Sequence, residues 1–198
     1  AVEQGYSSQG ELFDIEHMAR VLERQLSEDL RQQSVDHQLP DRRVEVSVQK
    51  FSELGLLGIL QLLNCSSSPG YVILPYDRDR KRGSAPCQRA GLSAHYAVLC
   101  GLIAPRGSYH EDDEVNEDLV SLVALQSMSS APVVASYKEW VESNRQLLAG
   151  SSSPLNDADD TMRAVEHHRN SRKWKVSDSG STLGGNCVVA RYVATEVC

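Results

Sequence analysis

Apolar positions first fall into a regular pattern in "FDIEHMARVLERQL", where Ile15, Met18, Ala19, Leu22 and Leu26 share one face at helical spacing. Asp14 stands where it can cap that helix. In "RVEVSVQ" the period shortens to that of a strand, with Val44, Val46 and Val48 alternating against polar neighbours. "SELGLLGILQLLNC" is apolar nearly all round and predicts a buried helix with Ser52 as its N-cap, although two glycines weaken it. Pro69-Gly70 makes a turn, and "YVILPY" follows as a short core strand. Residues 77–94 read as a loop and "HYAVLCGLIA" as the next strand. "SYHEDDEVNEDL" is an acidic, solvated connection; "LVSLVALQS" and "APVVASY" predict two more strands. "KEWVESNRQLLA" is a helix that turns Trp140, Val141 and Leu147 inward, and "NCVVARYVA" is a last strand. Residues 151–185 are polar and rich in Ser and Asp, the composition of a mobile insertion. Helix, strand, helix and then mostly strands predicts an α+β fold, with residues 1–198 forming one domain around that insertion.

Composition adds bounds. A chain of 198 residues can bury one sizeable core, and 40% hydrophobic with 24% charged residues is ordinary for a globular protein. A formal net charge of -7 argues against nucleic acid as a partner. No apolar run is long enough to span a bilayer and no signal-peptide pattern is recognisable, so no membrane association is expected. The five cysteines are odd in number and contain no C-x-x-C, which fits a reduced, cytoplasmic setting. The chain opens on Ala1, and "AVEQGYSSQGELF" reads as the interior of something longer, so a fragment or a processed chain is expected.

The candidate chemistry lies in "APCQRAGLSAHYAVLCGLI". A cysteine, Cys87, precedes a histidine, His95, by one short loop, and a thiol with a nearby base is the kernel of nucleophilic catalysis. Arginines around Cys87 favour its thiolate. The plainer reading of His95 is a strand-opening histidine bonded to backbone. Cys65, Cys100 and Cys187 lie in apolar surroundings and are expected in the core. His167-His168 has no partner at zinc-ligand spacing, the run Glu111 to Asp118 lacks the glycine of a calcium loop, and "GSTLGG" lacks the Gly-Lys-Ser/Thr ending of a phosphate loop. Neither a metal nor a cofactor is expected.

Four stretches, in order, carry a resemblance: "GYSSQGELFDIEHMA", "ILPYD", "PCQRAGLSAHYAV" and "VESNRQLL". Together they are similar to the actin maturation protease family, covering roughly residues 5 to 148. The family consists of cytosolic cysteine aminopeptidases with a papain-like, C39-peptidase-type fold that remove the N-terminal residue of immature actin. The resemblance implies that fold, incomplete at the N-terminus, with actin as partner. It implies that His95 is the general base and that the nucleophilic cysteine, in a Gly/Cys/Gly helix start, is absent from this chain. Cys87 matches a family cysteine that is not the nucleophile. Asn144 falls in a matching motif, as a residue that orients His95 or as one that caps a helix end. Ser136 stands where some relatives have an aspartate, which closes that route. The alternative is a non-catalytic papain-like module that binds a protein partner. Outside the resemblance, Arg80, Lys81 and Arg82, with Arg78 and Arg89 nearby and Asp77 and Asp79 as partial offsets, form a basic stretch that either attracts the acidic actin N-terminus or is a solvated surface.

Overall fold

The computed structural model describes residues 14–37, 42–65, 69–89, 93–105, 116–127, 130–147 and 183–194. Most of the expected insertion, and His167-His168 with it, lies outside the described residues. Helix α1 (Ile15–His37) leads to β1 (Arg42–Lys50), α2 (Phe51–Asn64) and β2 (Gly70–Asp79). A two-residue strand β3 (Ala85–Pro86), β4 (Ala94–Ile103), a 3-10 turn (Glu117–Leu119), β5 (Ser121–Leu125), β6 (Val133–Ser136), α3 (Tyr137–Arg145) and β7 (Asn186–Ala194) follow. The α+β class is the expected one.

The strands form one antiparallel sheet in the order β1-β7-β2-β4-β5-β6, with β3 paired to β2. Side chains alternate between its faces. Val72, Leu74 and Tyr76 of β2, Ala97 and Leu99 of β4, Leu122 and Ala124 of β5 and Val189 of β7 line one face, covered by α2 and α3 through Phe51, Ile59 and Trp140. Ile73 and Val188 line the other, covered by α1 through Ile15, Met18 and Ala19. Asp14 caps α1 as expected, its Oδ1 accepting the His17 N–H at 2.9 Å. No helix among the described residues is long and apolar enough to cross a membrane.

Three expectations are corrected. The second helix begins at Phe51, preceded by Lys50 with no side-chain cap, so Ser52 lies inside it. Gly55, at φ 60 and ψ 177, breaks the helix, a conformation that glycine reaches without a Cβ penalty. Cys100 is exposed on the outer face of β4, because it shares the alternation of Val98 rather than that of Leu99. The segment read as a loop from residue 77 still belongs to β2 through Asp79, and the Arg78 N–H donates to Ser93 O at 3.2 Å beyond the paired register.

Candidate active site

His95 is the second residue of β4 and pairs with Tyr76 of β2. Their ring centroids are 6.2 Å apart, and Tyr76 in turn packs on Trp140 of α3 at 4.9 Å. Alternation puts Arg78 on the same face as Tyr76, one step further along β2 and diagonal to His95. Gln126 follows β5 and continues the inward positions of Leu122 and Ala124. Its side chain lies next to His95 and favours the charged form of the ring. The Nε2 atom of His95 is buried and meets no hydrogen-bond partner among the described residues. Burial holds the imidazole pKa below its ordinary value, and the Arg78 charge pushes it the same way; the Gln126 side chain pulls it upward. The ring is therefore neutral near pH 7 and able to take a proton.

The chain entering β4 is fixed by β2. Asp77 is buried, and its carboxylate accepts the Ser93 N–H at 2.9 Å and the Arg89 N–H at 2.8 Å. On Asp79, Oδ1 accepts the Lys81 N–H at 2.9 Å while Oδ2 meets the Arg89 guanidinium at 3.3 Å. The Lys81 N–H bond, more than the Arg89 charge, holds the Asp79 carboxyl below its usual range. Arg80, Lys81 and Arg82 project into solvent from the turn between β2 and β3.

Cys87 lies beside this turn, its N–H bonded to Asp77 O at 2.8 Å. Gln146 donates to Cys87 O at 2.6 Å and Gln88 to Glu142 at 2.6 Å, which strap the segment to α3. Burial, and then the Asp77 charge, push the Cys87 thiol up to about 11. The carboxylates outweigh the arginines that suggested an activated thiolate, so Cys87 is a protonated thiol at neutral pH.

Asn144 is buried, and its Nδ2 donates to Pro75 O and Asn186 O, both at 2.9 Å. Those bonds join β2 to β7; the polar side chain next to His95 is that of Gln126. Sequence reasoning passed over Gln126 because it ends an apolar strand, yet extending the alternation of Leu122 and Ala124 by one step would have placed it inward. Ser136 serves as the N-cap of α3 in a capping box with Glu139. Among the described residues no group of His, Cys, Asp and Glu could hold a metal ion.

No curated protein and no solved structure matches the chain. A family model described as actin maturation protease-like, C-terminal domain, matches residues 1–103, just over half of the sequence, and runs through the end of β4 and so past His95. The chain therefore belongs to the actin maturation protease-like C-terminal domain family.

Proposed function

We propose that this chain is the general-base half of a papain-like cysteine aminopeptidase that removes the N-terminal residue of immature actin in the cytoplasm. The observation that carries the reading is the state of His95: neutral, beside the Gln126 side chain, with Nε2 left without a partner among the described residues. His95 takes the proton of a cysteine thiol from a segment upstream of Ala1. The thiolate attacks the scissile carbonyl carbon, and the C–N bond breaks as the imidazolium returns its proton to the leaving amine. Water, deprotonated by His95, then cleaves the thioester and releases the thiol. Gln126 is a positioning residue, fixing the ring so that Nε2 faces the thiol. The high Cys87 pKa supports a nucleophile from elsewhere. Arg80, Lys81 and Arg82 draw in the acidic actin N-terminus from solvent.

The test compares residues 1–198 with a longer chain that includes the upstream cysteine, on an actin N-terminal peptide followed by mass spectrometry. The shorter chain should leave the peptide intact. The longer one should release the first residue, and His95→Ala should reduce that rate by several orders of magnitude, since base and nucleophile act as a unit. Unchanged turnover in His95→Ala would refute the assignment, and turnover by residues 1–198 would return Cys87 to the role.

A further inference from the structure

The geometry points to Arg78 as the residue that reads a carboxylate on the peptide substrate, the acidic side chain of the first residue after the scissile bond. Arg78 is only 9% exposed. Among the described residues its buried Nε meets no hydrogen-bond partner and its guanidinium forms no ion pair. The two carboxylates beside it in the chain do not supply one. Asp77 and Asp79 alternate to the opposite face of β2, where their oxygens hold the N–H groups of Ser93, Arg89 and Lys81. An interior guanidinium without a counter-charge is costly, and a fold keeps such a group where something else completes it.

The missing partner has a definite chemistry. Arginine offers donors only, in a planar fork that matches a carboxylate. Tyr76 Oη and Trp140 Nε1 are also buried without partners among the described residues. Trp is again a donor only, so the N–H groups of Arg78 and Trp140 lack an acceptor, while His95 Nε2 is the acceptor reserved for the proton in the reading above. A peptide carbonyl would satisfy one N–H but leave the charge; a carboxylate does both.

The location selects the residue. Arg78 is diagonal to His95 across the β2–β4 pair, a separation of about 7–8 Å. This step rests on His95 being the group that protonates the leaving amine. A side chain on the residue carrying that amine spans such a distance, since one extended residue advances about 3.3 Å. The role differs from attraction by Arg80, Lys81 and Arg82, which are exposed and screened by salt, whereas a buried contact is screened much less.

The experiment uses binding, not turnover. Residues 1–198 are titrated by NMR with two blocked peptides, acetyl-Ala-Asp-Ala-Ala-amide and its Asn counterpart. The Asp peptide should bind about tenfold more tightly or better, a difference of about 1.4 kcal/mol. It should shift the Arg78 Nε–H resonance and raise the His95 midpoint, and the preference should survive high salt. Arg78→Gln should erase the preference and Arg78→Lys keep part of it. Equal affinities, no binding of either peptide at millimolar concentration, an unmoved Arg78 Nε–H, or a preference retained in Arg78→Gln would each overturn the assignment. So would free acetate binding as well as the Asp peptide. If Arg78→Gln does not fold, the Arg78 Nε–H shift in the wild-type protein decides. A failed catalytic reading would show separately, in the His95→Ala turnover assay.

Discussion

Pro75 and Asn186 stand across from each other where β2 and β7 stop pairing, and one side-chain amide, that of Asn144, donates to both carbonyl oxygens at 2.9 Å. The last paired residues are Ile73 and Val188. Proline tolerates the next stretch because no ladder donor is required there. Asn144 takes over from the ladder at the opening, so its position is set by the sheet. Asn144→Ala should lower stability in urea by about 2–4 kcal/mol, since it strips donors from two buried carbonyls. The His95 midpoint should stay where it is. Gln126→Ala should do the reverse: a small loss of stability and a His95 midpoint that falls, because the Gln126 side chain favours the charged ring. NMR titration of the His95 ring separates the two residues. A midpoint that moves with Asn144 and not with Gln126 would exchange their roles.

Stability should depend on pH through His95. Its folded pKa lies below the unfolded value of about 6.5, chiefly through burial and then through Arg78. Between the two values the unfolded chain binds more protons, so stability rises with pH across that window. The contribution is complete above about pH 6.5, is lost as pH falls through the window, and levels off below the folded midpoint. His95→Gln lacks this dependence. Thermal melts of the two proteins should therefore converge, or cross in favour of the variant, on acidification from pH 7.5. Parallel curves would show that the imidazole is not desolvated.

The cysteines should differ sharply toward iodoacetamide. Cys100 is exposed and should be modified first. Cys87, pushed up to about 11, and Cys187, pushed up to about 12 by burial, should react last. At pH 7.5 fewer than about one in a thousand of either is thiolate. Peptide mapping after timed alkylation gives the order. Rapid labelling of Cys87 would contradict the electrostatics that disqualify it as a nucleophile.

Reversing Arg80, Lys81 and Arg82 to Glu in the longer, cysteine-bearing chain should lower kcat/KM on an acidic peptide at low ionic strength and leave kcat little changed. The gap should close as salt rises, with a Debye length of about 8 Å at 0.15 M. Identical kcat/KM values at low salt would make the turn a solvated surface.

Elements with an unmistakable period were legible in advance. The α1 face, the β1 alternation and the strand that opens with Asn186, Cys187 and Val188 appear where the pattern put them. Local rules failed where a tertiary partner intervened. Ser52 looks like an N-cap until the Phe51 N–H finds Gly185 O at 2.9 Å and the helix starts earlier. Asp77 and Asp79 look like loop residues because nothing local reveals that their carboxylates organise the approach to β4. The same holds for the site. His95 stands out as a candidate from its motif, whereas its neighbour Gln126 reaches it through the pairing of β4 with β5, which no short stretch encodes.

The place of β7 has a consequence for how the chain is made. β1 and β2 are near neighbours in sequence, yet the sheet keeps them apart by a strand's width and fills the gap with β7, the most distant in sequence of the described strands. Val48 and Ile73 both wait for Val188. Until then the nascent protein holds two unsatisfied strand edges facing an empty slot, and closing so long a loop is slow. A stalled or truncated product would display both edges to other chains, an invitation to strand exchange and aggregation. Docking of β7 is thus the step that seals the sheet.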